Sequence, residues 1–222
     1  VARNIPVAQR RAFWAWVFKG TPRRQWVRGA ERDAARDIKA AIASGGTTGD
    51  NIGQITLVGA GPGARDLLTL RAVERLQEAD VIFYDRLVDA EVLELARRDA
   101  ERVFVGKHVG AHHWPQDRIN SMVVSEAKKG RRVVRLKSGD PGVFGRAAEE
   151  VEAAREVGIP IEIVPGVTAA CAAAAGLTRS LTERGVANTL VLATGTGRAE
   201  DPLPDSIRLS GPGATTALYM AV

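Results

Sequence analysis

Gln54-Ile55-Thr56-Leu57-Val58-Gly59-Ala60-Gly61-Pro62-Gly63 is a short apolar run that empties into a glycine-rich turn, and the rest of the chain repeats that grammar. After it, Leu67, Leu70, Val73 and Leu76 are spaced by three, which predicts a helix over Asp66–Ala79. Val81–Tyr84 reads as a strand ending at Asp85, followed by a helix over Glu91–Arg98 and a strand over Arg102–Val105. Pro115–Lys129 is a helix with proline in its first turn, where the missing N–H costs little, and Ile119, Met122, Val123 and Ala127 share one face. Arg132–Leu136, Ile161–Val164 and Thr189–Ala193 are further strand runs, with helices over Phe144–Val157 and around Ala169–Ala175 between them. Strands separated by helices predict an α/β fold with a largely parallel sheet. Ligands of such sheets sit beyond the carboxyl ends of the strands, which here are Gly59–Gly63, Tyr84-Asp85-Arg86, Lys137–Arg146 and Pro165–Ala169.

The chain has 222 residues, room for one large domain and a fragment. Its net charge of +5 is uneven: residues 1–50 hold ten basic and four acidic groups, and the remainder is close to neutral. Trp14, Trp16 and Trp26 also lie in that front section, which reads as a helix over Val7–Lys19, a stop at Gly20-Thr21-Pro22, a helix over Arg28–Ala43 and a Gly/Thr linker. Arginines interleaved with tryptophans can bind nucleic acid, but no recognisable module accompanies them and nucleic acid is not expected as a partner. The aromatic face is expected instead to pack on a separate domain or subunit. No unbroken apolar run is longer than Ala12 to Phe18, far short of the ~20 residues that span a bilayer, so no membrane role is expected. One cysteine, Cys171, excludes an internal disulfide and suits a reducing, cytoplasmic location; among alanines it reads as a buried small residue. With only three histidines beside it, a Cys/His metal site is not expected.

Gly59-x-Gly61-x-x-Ala64 matches the dinucleotide fingerprint in form, with Asp85 placed as a ribose-binding acid would be. Pro62, however, removes an N–H from the loop that should wrap a pyrophosphate, and a second glycine-acid loop at Lys137–Arg146 has no role in that fold. Taken together, Leu57–Gly63, Tyr84-Asp85-Arg86-Leu87-Val88, Val105-Gly106-Lys107, Val133–Pro141, Val143-Phe144-Gly145-Arg146, Val164–Ala169 and Tyr219-Met220 resemble the tetrapyrrole methylase family in its order and near its spacing. Trp114-Pro115-Gln116 through Ile119-Asn120 resembles the subgroup acting on uroporphyrinogen III. The front section, with Arg10-Arg11-Ala12-Phe13-Trp14, resembles the end of the dehydrogenase/ferrochelatase half of the sirohaem synthases, where a methylase follows in the same chain.

The resemblance implies a two-lobed fold: a helical segment and linker over 1–50, a first lobe over 51–164, and a second lobe over 165–222 that is truncated relative to the family. It implies transfer of methyl groups from S-adenosylmethionine to two pyrrole carbons of uroporphyrinogen III, giving precorrin-2 and S-adenosylhomocysteine in sirohaem or cobalamin biosynthesis, by a homodimer. Asp85 matches the family's proton acceptor and Lys107 its proton donor. Pro62, Ser138, Gly139, Asp140, Val143, Thr168, Ala169 and Met220 match positions lining the adenosylmethionine site, Ser138 standing where the family usually has glycine. The substrate carries eight carboxylates, and of the basic residues between Lys128 and Arg146 only Arg146 is taken as a substrate contact. Another precorrin methyltransferase, or a binding module without turnover, stays open.

Overall fold

Alternating apolar positions along the strands dictate which face each helix covers. The computed structural model describes residues 4–46, 53–106, 115–195 and 211–220, and the chain divides into two units, Val1–Asn51 and Ile52–Val222. In the second unit, β1 (Gln54–Gly59), β2 (Val81–Tyr84), β3 (Glu101–Phe104), β4 (Arg132–Lys137) and β5 (Ile161–Val164) form one parallel sheet in the order β3-β2-β4-β1-β5. On one face Val58, Ile82, Val134 and Leu136 pack with Ala72 and Leu76 of α4 (Leu70–Glu78) and Val92 of α5 (Ala90–Leu93). On the other, Ile55, Leu57, Phe83 and Val133 pack with Ile119 and Val123 of α6 (Gln116–Lys128) and Ala154 of α7 (Ala147–Glu156). Both faces are covered, as a parallel sheet requires.

Beyond β5, α8 (Ala169–Gly176) leads to a separate parallel pair, β6 (Thr189–Thr194) and β7 (Ala214–Tyr219), with Thr194 opposite Tyr219. Cys171 is exposed on α8, contrary to the expected burial, because only Ala170 among that helix's residues is buried. Two predicted helices begin later than their apolar spacing suggests. Arg65–Leu67 forms a 3-10 turn, and α4 starts only where the Thr69 hydroxyl accepts the Ala72 N–H at 3.2 Å. Phe144 and Arg146 take left-handed backbone, which delays α7 to Ala147.

In the first unit, α1 (Val7–Lys19), α2 (Thr21–Val27) and α3 (Glu31–Ala43) surround a small core of Ile5, Phe13 and Ala41. α1 ends at Lys19, as the Gly20-Thr21-Pro22 stop predicts, and Pro22 then sits in the first turn of α2, where proline is tolerated. The aromatic stripe is split: Phe13 is fully buried within the unit, while Trp14 and Phe18 stack at 5.5 Å on its exposed side. Among the described residues no helix is long and apolar enough to cross a membrane.

At the α6–β4 turn, Lys129 and Arg131 both donate to Glu126, and these bonds hold its carboxyl below the ordinary glutamate range. A lowered folded-state value means the contribution is complete above the unfolded pKa and disappears as pH falls through the folded one. Glu126→Gln should therefore lower the melting temperature by about 2 °C at neutral pH, with the difference gone in strong acid when both proteins are melted across a pH series.

Candidate active site

The carboxyl ends of β1, β4 and β5 converge because glycines at 59 and 166 let backbone meet backbone. Gly59 ends β1 opposite Lys137, and a Cβ on Gly59 would stand 2.6 Å from the Gly166 nitrogen and 2.7 Å from the Gly139 oxygen. A Cβ on Gly166 would collide with the Gly139 carbonyl and approach Gly59 Cα to 2.9 Å. One step further out, Gly61 and Gly139 exchange N–H···O bonds of 3.2 and 2.7 Å, both with left-handed backbone. Asp140 ties in the third loop: Oδ1 accepts the Gly142 N–H at 2.7 Å and Oδ2 the Gly166 N–H at 3.0 Å. The turns after three different strands thus form one rigid floor.

Above that floor lies a cavity of about 420 Å³, within the range of small-molecule sites. Pro62, Ser138, Gly139, Asp140, Val143, Thr168, Ala169 and Met220 line it, as do Asp85 and Arg146. Residues drawn from across the sequence, between positions 62 and 220, therefore meet at one place. Lys107 lies outside the described residues. The far wall is held by Tyr219, whose hydroxyl stands 2.6 Å from Thr168 Oγ1 and accepts the Ala170 N–H at 3.1 Å. Its ring lies 5.0 Å from that of Phe144. Phe144, Arg146 and Met220, all lining the cavity, have φ of 51°, 54° and 53°. Left-handed backbone costs a non-glycine residue about 1 kcal/mol or more, and such strain gathers where a site must be shaped. A second cavity of about 700 Å³ lies between α8 and β7 and shares Ala169, Tyr219 and Met220 with the first.

The polar wall is a charge cluster. Asp85 follows β2 directly, its Oδ1 accepting the Leu87 N–H at 3.1 Å and its Oδ2 an N–H of Arg135 Nη2 at 3.2 Å. Arg135 Nε reaches Glu150 Oε1 at 3.2 Å, and Lys137 Nζ lies 2.9 Å from both Glu150 oxygens. The side chains of Arg135, Lys137 and Glu150 are only 5%, 8% and 4% exposed. Burial holds the Lys137 ammonium below the ordinary lysine range despite the opposing attraction of Glu150. Gln116 on α6 adds a bond to Glu150 Oε1 at 3.2 Å. Arg146, by contrast, is about half exposed and forks onto Glu149 at 2.8 and 2.7 Å, which raises its pKa further.

Arg135, Lys137, Glu150 and Gln116 were not singled out by the sequence reading. Arg135 and Lys137 stand in a run of basic residues that reads as solvated, yet they share strand parity with Val133, which faces the core. That parity was the available signal. Among the described residues no group of three or more His, Cys, Asp or Glu could hold a metal ion.

A family profile described as Tetrapyrrole (Corrin/Porphyrin) Methylases matches residues 54–222. The siroheme synthase of Azotobacter vinelandii is 45% identical over 228 residues, covering all of this chain and 48% of that protein. The chain thus spans about half the length of the curated relatives it matches. A crystal structure of uroporphyrin-III-C-methyltransferase from Thermus thermophilus aligns with a TM-score of 0.60 and 46% identity, over 68% of this chain and 64% of that one. The Thermus enzyme complexed with S-adenosyl homocysteine aligns at 0.57 and 43%, over 68% and 63%.

The glycine floor makes a sharp contrast testable. Gly166→Ala should lower the melting temperature by roughly 5 °C or more, since its methyl meets backbone that cannot yield. Gly176→Ala at the end of α8 meets nothing within 4 Å and should leave the midpoint within about 2 °C in the same calorimetric scan.

Proposed function

Because the chain belongs to the tetrapyrrole (corrin/porphyrin) methylases, we propose that it carries the uroporphyrinogen-III C-methyltransferase activity of a sirohaem-forming protein, converting uroporphyrinogen III to precorrin-2. The observation that carries this is the single cavity in which Asp85 faces the Gly139–Asp140 loop and the Thr168-Ala169 turn. The match to the Thermus enzyme solved with S-adenosyl homocysteine supports S-adenosylmethionine as the methyl donor.

The residues present suit that donor. Gly139 leaves open the space that a Cβ would fill, Asp140 lines the cavity with each carboxylate oxygen held by one loop N–H, and the Thr168-Ala169 turn opens α8. Pro62, Ser138, Gly139, Asp140, Val143, Thr168, Ala169 and Met220 are the proposed binding set. S-adenosylmethionine supplies a methyl group already activated on a sulfonium, so the protein's main task is alignment, worth roughly 7–11 kcal/mol in well-oriented systems. Asp85 stabilises positive charge that develops on the macrocycle when a pyrrole carbon is alkylated; that carbon is then fully substituted, so the carboxylate takes the balancing proton from another position of the cationic macrocycle. Lys107 is the proposed proton donor on the family motif alone. Arg146, with part of its fork on Glu149, is the proposed contact to a substrate carboxylate at the cavity mouth. The resemblance set out from the sequence extends the proposal to a homodimer in the cytoplasm.

The deciding experiment incubates the chain with S-adenosylmethionine and uroporphyrinogen III and follows product mass. Gain of two methyl groups per macrocycle is expected, whereas transfer only to a later precorrin would overturn the substrate assignment. Asp85→Ala should lower kcat by about 10²–10³-fold while S-adenosylhomocysteine affinity, read by calorimetry, stays within a few-fold. At ~100-fold over its dissociation constant, S-adenosylhomocysteine should raise the melting temperature by about 5–10 °C, and NAD should leave it unchanged.

A further inference from the structure

Arg135 occupies β4, between β2 and β1, on the face that α6 and α7 cover with Ile119, Val123 and Ala154. A guanidinium there loses its hydration, and an aliphatic side chain would suit the surrounding core at least as well. Its N–H groups are nonetheless engaged in every direction. Nε donates to Glu150, Nη1 to the Leu136 carbonyl at 2.9 Å and the Phe83 carbonyl at 3.5 Å, and Nη2 to Asp85. A planar fork fixed at three corners cannot turn. What it delivers to the cavity is one bond, to Asp85 Oδ2, while the Leu87 N–H holds Oδ1, so the plane of that carboxylate is set from both ends.

We infer that Arg135 is a positioning residue for Asp85, and that Glu150 makes it one. Glu150 anchors Nε, and by taking the Lys137 ammonium on both oxygens it keeps that second buried cation from pairing with Asp85. Gln116 holds Glu150 from α6, so both helices that cover this face fix the clamp. Without Glu150, two buried cations would compete for one carboxylate, drawing Asp85 inward and away from the reacting carbon. The inference rests on Asp85 being the proton acceptor of the proposed reaction.

Removing one member of a buried charge cluster can unfold a domain, so the test uses variants that keep charge or shape: Arg135→Lys and Glu150→Gln in the full chain. Arg135→Lys keeps the cation but cannot span both carboxylates, and should lower kcat by about 100-fold, the scale of a small misplacement. KM and S-adenosylhomocysteine affinity should not move. Glu150→Gln, which still accepts from Nε but releases Lys137, should lose less. In an Asp85→Ala background, single-turnover rates should be indifferent to Arg135→Lys, because the clamp then has nothing to position. A loss that persists in that background, or one that falls on KM with kcat retained, would overturn the inference. An arm independent of turnover is nitrogen NMR of the Arg135 guanidinium. Rotation of its Nη groups should be slow in the parent chain and quicken in both Asp85→Ala and Glu150→Gln; rotation indifferent to Asp85→Ala would sink the clamp even if methylation is seen. Absence of methylation by the parent chain would instead fall on the functional reading, and the NMR arm would still decide whether Arg135 holds Asp85.

Discussion

Everything at the cavity depends on close approach of the turns that leave β1, β4 and β5. Their carboxyl ends lie side by side in the sheet, but proximity of strands does not by itself bring the following loops into contact. Glycine at 59 and 166 does, because each lacks the one atom that would strike the backbone of the other and the Gly139 carbonyl. The mutual N–H···O bonds of Gly61 and Gly139 and the two amide bonds to Asp140 then satisfy backbone groups that would otherwise be stranded. With the floor fixed, strain at Phe144, Arg146 and Met220 can be sustained around the rim.

The charge cluster shows how the same sheet places chemistry. β4 sends Val134 and Leu136 to one face and Val133, Arg135 and Lys137 to the other. On the second face α7 brings Glu150 over the strand, so two cations meet an anion in low dielectric, and Asp85 is the one member of the cluster that stays partly open to solvent. The depressed proton affinity of Lys137 measures the cost of that burial. A purely structural solution would fill the space with aliphatic side chains; the buried cluster instead stands beside the cavity, at the carboxyl end of β4.

Much of this could be read from the sequence, for identifiable reasons. Apolar runs ending in glycine or aspartate marked β1 and β2, the Val133-Val134 and Leu136 positions between basic residues marked β4, and in a parallel sheet their ends locate the cavity without further information. Family motifs then picked out lining residues such as Asp85, Asp140 and Thr168, which are far apart in the chain. What escaped depends on the third dimension. Charged residues such as Arg135, Lys137 and Glu150 ordinarily stay in solvent, whereas strand parity and the placement of α7 bury them here. The left-handed backbone at Phe144 and Arg146 has no sequence mark, since neither is glycine, and it shortened a helix that periodicity had extended. The expected burial of Cys171 failed for the opposite reason: an alanine-rich helix has no polar face to reveal which side stays open.

Tyr219 bears on how the cavity works as a container. The β6–β7 pair belongs to a separate sheet, and the phenolic oxygen of Tyr219 bonds to Thr168 and to the Ala170 amide, about fifty residues earlier in the chain. Tyr219 lines both cavities, and its one hydroxyl group fastens the wall they share to the start of α8. A ligand that competed for that hydroxyl, or for Thr168, would at the same stroke unfasten the wall it rests against. Occupancy and width of the site are in this way mechanically linked, with Tyr219 as the latch between them.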